Sequence, residues 1–364
     1  MKTKAAVLEA FKTPIVMREF ETLSLAEGEV LLKILAAGVC GSDVHIQKGE
    51  DPRTPIPIIL GHEGVGRIAA LGGPKKDVSG RDLKEGDLVV FERGIMCGRC
   101  RSCVILKRPA LCASRRTYGI SVSSKDPPHL RGCYAEHIHL MASAHLIRID
   151  AAVDPAVLVP ATCSGATAAN AFEQSGTKPG DAVVIVGPGP LGLFLIAMAK
   201  QAGAGPIIVM GMAADRARLD LCRLFGADHT MVVDGTSIED REAEVRKLTS
   251  GLGGDVVFEC TGARRAAEDA LHFAAPGGTV LIPGIATPVG QASVSFYEHL
   301  ARWNVRLQGV WVSDTSHLRR AALLVSSGGF PFEKIVTHRF PLAQANEALV
   351  AVEKREAMKA VLIP

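Results

Sequence analysis

The chain has 364 residues, more than one hydrophobic core usually serves, so we expect two domains. Hydrophobic residues make up 48% and charged residues 22% of the chain, and the formal net charge is only +3, so we expect neither nucleic-acid nor membrane binding. An N-terminus without a signal-peptide pattern predicts a cytoplasmic protein, in which the nine cysteines serve as metal ligands or buried thiols.

The first part of the chain, up to about residue 155, reads as a β-rich region. Apolar runs at residues 5–8, 30–37, 64–68 and 87–91 predict short strands, and turn sequences rich in glycine and aspartate separate them. Short strands at this spacing predict a small, barrel-like β-domain.

Two segments of this region carry residue types that bind metals. Cys40 opens the sequence Cys-Gly-Ser-Asp-Val-His, and the pair His62-Glu63 lies within the glycine-rich segment 61–66. Zinc takes thiolate, imidazole and carboxylate ligands, and a catalytic zinc keeps one position open for water or substrate. A His-Glu pair alone is a weak signal, but together with the upstream cysteine it predicts part of a catalytic metal site.

Four cysteines then follow within sixteen residues: Cys97, Cys100, Cys103 and Cys112. Four thiolates around zinc close a tetrahedral site, which is structural because no coordination position stays open. Unrelated buried cysteines, a nucleic-acid-binding zinc ribbon and an iron–sulfur cluster are the alternatives. The zinc ribbon is disfavoured because the region has no surface of interleaved basic and aromatic residues.

Together these motifs resemble the zinc-dependent medium-chain dehydrogenase/reductase family, which includes alcohol and polyol dehydrogenases. The resemblance rests on the segments 40–45 and 61–66 and on the four cysteines, and it continues to the C-terminus. One departure lies in the cysteine segment, where eight residues separate Cys103 from Cys112 instead of the usual seven. A loop can absorb one extra residue, so a structural zinc is still expected.

The resemblance implies the ligands of a catalytic zinc. Cys40 and His62 match two of its ligands, and Cys163 falls where the family places the third. Glu63 matches the carboxylate beside the metal, which is a ligand or an exchangeable near-ligand. Ordinary packing of a lone buried cysteine is the alternative for Cys163.

The resemblance also implies roles for residues that do not bind the metal. Ser42 matches the residue that hydrogen-bonds the substrate hydroxyl, and His45 matches the imidazole at the solvent end of the proton relay. Asp43 matches a carboxylate that orients the metal-bound histidine. Thr167 matches a residue near the nicotinamide, and Lys359 matches a basic residue near the pyrophosphate, with a solvated surface lysine as the alternative.

A dinucleotide-binding region begins near residue 181. An apolar strand leads into the glycine-rich sequence 187–192, and a helical pattern follows at 193–202. The glycines of this G-x-G-x-x-G sequence allow a tight turn and a close approach of the pyrophosphate, which then lies at the helix N-terminus. Later strand runs at 206–210, 255–262 and 278–284 continue the alternation, which predicts a doubly wound parallel sheet.

The end of the second strand bears on the choice of cofactor. NAD enzymes tend to place a carboxylate there for the ribose hydroxyl, but that position holds Gly211. Arg216 and Arg218 follow and favour NADP over NAD, while the nearby Asp215 weakens that preference. The predicted cofactor-binding residues are Thr167, Gly187, Gly189, Pro190, Leu191, Gly192, Gly211, Arg216, Arg218, Thr261, Gly284 and Lys359.

The last part of the chain is expected to return to the first domain. Residues 309–312 read as the returning strand, residues 331–342 as a later strand and turn, and the residues from Ala345 onward as an amphipathic helix. Trp311 could line either the substrate pocket or a subunit contact.

The sequence thus predicts an α/β protein with a doubly wound parallel (Rossmann) domain at 161–308 and a β-rich, GroES-like catalytic domain at 1–160 and 309–364. The predicted function is zinc-dependent hydride transfer between NADP or NAD and a secondary, cyclic or polyol alcohol or its carbonyl product, with about two zinc ions per chain. The resemblance implies a homodimer or homotetramer. The alternatives are a zinc-free quinone or enone reductase of the same fold and a non-catalytic protein that binds zinc and nucleotide.

Overall fold

The computed structural model describes residues 1–150 and 152–364, which form two compact units. The first unit comprises Met1–Cys163, Asp314–Gly328 and Phe332–Pro364, and the second comprises Ser164–Ser313 and Gly329–Pro331. The domain limits predicted from the sequence, at residues 160 and 308, lie a few residues before these changes of unit. In the part of the chain that the structure describes, no helix has both the length and the apolar character needed to cross a membrane.

Strands dominate the first unit, whereas helices and strands alternate in the second. The N-terminal segment contains β1 (Lys2–Leu8), β2 (Val16–Glu21), β3 (Val30–Val39), α1 (Gly41–Gln47), β4 (Ile58–Ile59), β5 (Gly64–Leu71), β6 (Leu88–Phe91), β7 (Gly94–Ile95), α2 (Arg101–Val104), β8 (Arg116–Thr117), β9 (His137–Leu140), β10 (Leu146–Arg148) and α3 (Pro155–Leu158). The second unit contains α4 (Ser164–Ser175), β11 (Val183–Val186), α5 (Pro190–Gln201), β12 (Ile207–Gly211), α6 (Arg216–Leu224), β13 (His229–Val232), α7 (Ile238–Leu248), β14 (Gly254–Glu259), α8 (Arg264–Ala270), β15 (Ala274–Ile282) and β16 (Arg306–Gly309). The C-terminal segment contains α9 (Thr315–Ser326), β17 (Val336–Pro341), α10 (Ala345–Glu353) and β18 (Lys359–Ile363).

A seven-stranded sheet forms the body of the first unit. Six strands follow the order β10-β6-β5-β3-β18-β17, and β9 pairs with β3. These pairs are antiparallel except for β17 with β18. Nearly all the Val, Leu, Ile and Ala side chains of β3 are buried, so both faces of this strand contribute to the core. Because β18 comes from the C-terminus and lies beside β3, the sheet needs both ends of the chain.

Smaller elements complete the first unit. A three-stranded sheet has the order β2-β1-β4, and β7 pairs with β8 in a two-stranded ribbon next to the cysteine-rich segment. Buried residues from β1, β3, β4 and β6 join in one hydrophobic core with side chains of α10 and β18. The β-rich unit expected from the sequence is therefore present.

The second unit contains a parallel sheet of six strands in the order β13-β12-β11-β14-β15-β16. The strand order reverses between β11 and β14, as it does in doubly wound nucleotide-binding folds. α5 follows β11 directly, and its residues from Gly192 to Ala199 are all buried, as expected for a helix with an apolar surface all round. The predicted fold class is confirmed.

The strand predicted at residues 309–312 is wrong. The strand of this region is β16, which ends at Gly309 and pairs with β15 at the edge of the parallel sheet. Val312 has a φ of 47°, in the left-handed region that a β-branched residue rarely adopts, so a strand cannot continue through it. The apolar sequence around Trp311 resembled a strand only because hydrophobicity does not reveal a local turn of the backbone.

The pairing of β5 with β3 requires a residue without a side chain at Gly66. A Cβ at this position would lie 2.3 Å from the carbonyl oxygen of Lys33 in β3. That oxygen belongs to the backbone of a buried strand, so it cannot move without disturbing the sheet.

We expect Gly66→Ala to lower the free energy of unfolding by about 1–3 kcal/mol, as is usual for overpacking. Gly41→Ala is the matched control in the same unit, because a Cβ at Gly41, in α1, meets nothing within 4 Å. Its stability should stay unchanged or rise by up to about 1 kcal/mol. Thermal unfolding followed by circular dichroism compares the two, and equal melting temperatures would contradict the packing argument.

Candidate active site

The four cysteines of the predicted structural site come together and are called the cysteine cluster. The sulfur atoms of Cys97, Cys100, Cys103 and Cys112 all lie within 4.8 Å of one another, with Cys100–Cys103 at 3.6 Å and Cys97–Cys112 at 3.5 Å. Four sulfurs bound to a tetrahedral zinc at about 2.3 Å lie about 3.8 Å apart, so the spacing fits the ion. The backbone N–H of Cys103 is the main factor that lowers the pKa of the Cys100 thiol to about 6.

The longer spacing after Cys103 is accommodated by local helical structure. α2 begins directly after Cys100, and a 3₁₀ turn at Pro109–Leu111 leads into Cys112. The backbone N–H of Cys112 donates to the carbonyl of Pro109 at 3.0 Å, and the N–H of Cys97 points at the Cys112 sulfur at 3.4 Å. The extra residue is therefore absorbed without separating the sulfurs.

Cys40, His62, Glu63 and Cys163 form a second group, called the mixed cluster. One ligand atom from each residue lies within 4.8 Å of the others. Cys40 is the N-cap of α1, His62 and Glu63 lie between β4 and β5, and Cys163 follows a 3₁₀ turn at Val159–Thr162. Two thiols, one imidazole and one carboxylate form a donor set that suits zinc.

Asp43 supports the mixed cluster from within α1. Its Oδ2 accepts hydrogen bonds from the backbone N–H of Cys40 at 2.8 Å and from the hydroxyl of Tyr134 at 3.1 Å. Its Oδ1 lies 3.4 Å from Nδ1 of His62. Because Nδ1 faces Asp43, Nε2 of His62 is the nitrogen left for a metal, as is typical of metal-bound histidines.

Lys359 lies at the mixed cluster rather than on the surface. Its Nζ donates to both carboxylate oxygens of Glu63 at 2.9 Å, and the residue is 3% exposed. Burial lowers the pKa of Lys359, but the Glu63 carboxylate outweighs it, so the pKa is raised. The alternative of a solvated surface lysine is therefore wrong, whereas the predicted place of Lys359 near the pyrophosphate stays a prediction.

The side chains of the mixed cluster differ in how readily they hold a proton. The hydrogen bond from Cys163 lowers the pKa of the Cys40 thiol well below its usual value, and the same bond raises the pKa of Cys163. Burial lowers the pKa of His62, but the charges of Asp43 and Cys40 outweigh it and bring the pKa to about 9. The site thus favours a thiolate on Cys40 beside a positively charged group, and a metal cation would occupy the same electrostatic position.

The two predicted relay residues lie on α1. Ser42 is half-buried, with its hydroxyl oxygen 3.8 Å from the Cys40 sulfur. His45 lies three residues further along the same helix face and is exposed, with Nδ1 2.5 Å from an oxygen of Glu50. One end of this pair is therefore at the mixed cluster and the other is at the solvent.

In the second unit, the glycine-rich sequence forms a tight turn between β11 and α5. Gly187 has a φ of 116°, which favours glycine, and a Cβ on Gly192 would lie 2.3 Å from the carbonyl oxygen of Gly187. Gly189 is the N-cap of α5, and Pro190 and Leu191 are its first residues. Free backbone N–H groups at such a helix start can bind a pyrophosphate.

The end of β12 is closely packed. A Cβ on Gly211 would lie 2.8 Å from Cγ of Pro188, so the absence of a carboxylate at this position also serves packing. Arg216 is exposed and opens α6, whereas the Arg218 guanidinium lies 3.8 Å from Asp215 with its side chain 19% exposed. Arg216 is therefore the more exposed of the two arginines.

A buried carboxylate organises the end of β14. Oε1 of Glu259 accepts from the backbone N–H of Thr261 at 2.6 Å, from its hydroxyl at 2.5 Å and from the N–H of Gly262 at 3.0 Å. A Cβ on Gly284 would lie 2.6 Å from Oε2 of the same carboxylate. Burial raises the pKa of Glu259. Thr261 and Gly284 therefore lie on opposite sides of one carboxyl group, and Thr167 is half-buried on α4.

Several residues near the mixed cluster were missed by the sequence analysis. Tyr134 is fully buried and holds Asp43, while Arg93 is 4% exposed and donates from Nη1 to the carbonyl of Thr162 at 3.0 Å. Arg115 lies next to β8 with its side chain 8% exposed. The pair Glu92-Arg93 directly after the apolar run of β6 was a signal, since a charged pair at the end of a buried strand is unusual.

Two family models match the chain. The model described as alcohol dehydrogenase GroES-like domain matches residues 26–151, and the model described as zinc-binding dehydrogenase matches residues 190–327. Among curated proteins, the chain is similar to 5-exo-hydroxycamphor dehydrogenase of Pseudomonas putida, with 31% identity over 93% of this chain and 92% of that protein.

Solved structures also resemble this chain over its full length. An alcohol dehydrogenase of Thermotoga maritima is 43% identical, with a TM-score of 0.96 and 100% coverage of both chains. A protein of Sinorhizobium meliloti described as a zinc-binding dehydrogenase, with NADP bound, is 26% identical, with a TM-score of 0.86 and 100% coverage of both chains.

We expect about two zinc ions per chain in protein purified without added metal, one in each cluster. Cys163→Ser and Cys112→Ser should each lower the value to about one, because each removes a thiolate from a different group. Cys222→Ala is the control, since this buried cysteine of α6 belongs to neither cluster. Elemental analysis measures all four proteins, and an unchanged zinc content in either serine variant would show that the corresponding cluster does not bind the metal.

Proposed function

The chain belongs to the zinc-dependent medium-chain dehydrogenase family, and we propose from this premise that the mixed cluster is its catalytic metal site. Members of this family are oxidoreductases that transfer hydride between NAD(P) and an alcohol or its carbonyl product, and this chain is one of them. The observation that supports the site is that four side chains of the kinds that bind zinc lie together. Asp43 lies behind His62, and Ser42 lies beside the Cys40 sulfur.

In the proposed reaction, Cys40, His62 and Cys163 would hold a zinc ion, and Glu63, which is paired with Lys359, would serve as a ligand or an exchangeable near-ligand. Zinc in this position supplies Lewis acidity that lowers the pKa of an alcohol hydroxyl, and the nicotinamide supplies the hydride chemistry. Asp43 keeps the His62 ring in one orientation, and Tyr134 in turn holds Asp43. The chain thus contributes a partly buried donor set in which His62 is already oriented by Asp43.

Ser42 and His45 are proposed to carry the proton. The Ser42 hydroxyl accepts the hydrogen bond of the substrate hydroxyl, and the exposed His45 releases the proton to solvent at the other end of α1. Glu50 engages Nδ1 of His45, which orients the ring and leaves Nε2 for proton exchange. General acid–base residues of this kind typically contribute 10²–10⁴-fold to the rate.

The cofactor is proposed to lie on the glycine turn after β11, with NADP favoured over NAD. The support is the combination of Gly211, which brings no carboxylate to the end of β12, with the exposed Arg216 at the start of α6. Glu259 is proposed to hold the turn at Thr261, which follows β14, the neighbour of β11 on the side opposite β12.

The protein is also proposed to be a cytoplasmic homodimer or homotetramer. β16 is an edge strand with Leu307 42% exposed, and Phe296 and Tyr297 of the preceding helical turn are 77% and 65% exposed. Exposed strand edges and apolar surface favour association between copies. The nine cysteines are free thiols, which suits a reducing compartment.

We expect Ser42→Ala to lower kcat for oxidation of a secondary alcohol such as 2-butanol by about 10²–10⁴-fold while the zinc content stays unchanged. His45→Gln should lower kcat less, and raising the buffer concentration should restore part of the loss, because buffer molecules can accept the proton at the solvent end. Absorbance of the reduced nicotinamide measures turnover. Full activity of the Ser42→Ala variant would show that Ser42 does not transfer the proton.

We expect Arg216→Gln to raise the Kd of NADP by about tenfold and leave that of NAD unchanged, because the lost guanidinium would contact only the extra phosphate. Arg223→Gln is the control, since Arg223 lies in the last turn of the same helix and pairs with Asp220. Quenching of protein fluorescence by each nucleotide measures the Kd. Equal effects on both nucleotides, or none, would contradict the assignment.

A further inference from the structure

An unusual group of charged residues in the first unit is linked to the mixed cluster through one member, Arg93. It consists of Arg53, Arg93 and Arg115 with Asp51 and Glu92, and we call it the arginine cluster. Glu92 is 1% exposed, Arg93 is 4% exposed, and the side chain of Arg115 is 8% exposed. Arginine is rarely buried to this degree unless it is paired or takes part in binding.

The positive charge of Arg115 is only weakly satisfied. Its Nη1 donates to the hydroxyl of Thr117 at 2.8 Å, but Nε and Nη2 have no hydrogen-bond acceptor within the described residues. Oε1 of Glu92 lies 3.6 Å from Nη2, beyond hydrogen-bond distance, and this oxygen already accepts from the backbone N–H of Gly94 at 2.8 Å. Two buried donors of one guanidinium therefore remain available.

These donors pack directly against a glycine. A Cβ on Gly94 would lie 2.6 Å from Nη2 and 2.7 Å from Nε of Arg115. Any side chain at this position would displace the guanidinium. The absence of a side chain at Gly94 therefore lets the buried guanidinium lie against the backbone.

The surroundings of Arg115 are also positively charged. Burial, with a smaller effect of the charges of Arg93 and Arg53, lowers the pKa of Arg115 to about 10 against the opposing effect of Glu92. Arg53 is committed elsewhere, because Nε and Nη2 donate to the Asp51 carboxylate at 2.8 and 2.5 Å. Arg93 and Arg115 are therefore both drawn to Glu92, and their mutual repulsion is unfavourable in a buried place.

Arg93 connects this cluster with the mixed cluster. It donates to the carbonyl of Thr162, the residue before Cys163, and it interacts electrostatically with the Cys163 sulfur and the Glu63 carboxylate. A substrate positioned at the mixed cluster would therefore be within the field of this cation.

We propose that the arginine cluster recognises an anionic group of the substrate, so that the alcohols oxidised here carry a carboxylate or a phosphate besides the reacting hydroxyl. The inference rests on the proposed function and specifies the substrate class of that site. Guanidinium groups form charge-assisted, often bidentate hydrogen bonds with both kinds of anion, and such bonds are about twice as strong as neutral ones. A bound anion would satisfy Nε and Nη2 of Arg115 and remove its repulsion with Arg93.

A binding experiment tests this inference independently of turnover. Zinc-loaded wild-type protein is titrated calorimetrically with acetate, with inorganic phosphate and with neutral acetamide. We expect at least one of the anions to bind, with a Kd about tenfold or more below that of acetamide, and the stronger anion identifies the substrate group. Arg93→Met and Arg115→Met should each weaken its binding by about tenfold or more.

The control variant is Arg131→Met, because the Arg131 guanidinium also donates to a backbone carbonyl, that of His139, but lies outside the cluster. Its anion affinity should equal that of the wild type. If Arg93→Met loses zinc, Arg115→Met decides the outcome, since Arg115 bonds to Thr117 and pairs with Glu92, neither of which belongs to the mixed cluster. Anion binding that is absent in the wild type, or unchanged in the Arg115 variant, overturns the inference.

Turnover separates the substrate class from the function itself. 3-Hydroxybutyrate is compared with its methyl ester, and glycerol 3-phosphate with glycerol. We expect kcat/KM to be about tenfold or more higher for one anionic member, and Arg115→Met to abolish this preference. A zinc-loaded enzyme that oxidises the neutral members equally well refutes the substrate class but keeps the dehydrogenase, whereas a protein without zinc in the mixed cluster refutes the proposed function.

Discussion

The buried ion pair between Glu63 and Lys359 is the interaction on which the first unit depends. Lys359 opens β18, the last strand of the chain, and Glu63 lies directly before β5. β18 pairs with β3 up to Val39, the residue before Cys40, while the N–H of Gly38 donates to the carbonyl of Glu63. Loss of one partner would leave an uncompensated buried charge, which typically costs about 3–5 kcal/mol. The position of the donor groups is therefore tied to the closure of the sheet by the C-terminus.

The same carboxylate dictates which residues surround it. A Cβ on Gly38 would lie 2.1 Å from Oε2 of Glu63 and 2.5 Å from a methyl group of Val159, so only glycine fits beside the ion pair. The second unit uses a comparable device, in which Glu259 occupies the space that a side chain on Gly284 would need. In both units the side chain of a buried glutamate lies against a glycine, where a hydrophobic side chain would otherwise pack.

The sequence was sufficient where the chemistry is local. The spacing of the four cysteines, the glycine turn and the apolar strands each lie in one short segment, and the structure forms them as predicted. Lys359, Arg93 and Arg115 could not be placed, because their partners are distant in sequence and a lysine or arginine alone reads as a solvated surface residue. The false strand at 309–312 has a different cause, since the positive φ of Val312 leaves no mark on hydrophobicity.

Electrostatics connects these missed residues with the chemistry. Two thiolates would neutralise a divalent ion in the mixed cluster, and Lys359 neutralises Glu63. The positive charge of Arg93 is then not required to neutralise the ligands of the mixed cluster. The single negative charge of Glu92 faces both Arg93 and Arg115. A surplus of positive charge in a place of low dielectric constant attracts negative charge much more strongly than the same charge at the surface. Selection for an anionic substrate would explain why two arginines are kept where hydrophobic side chains would pack at lower cost.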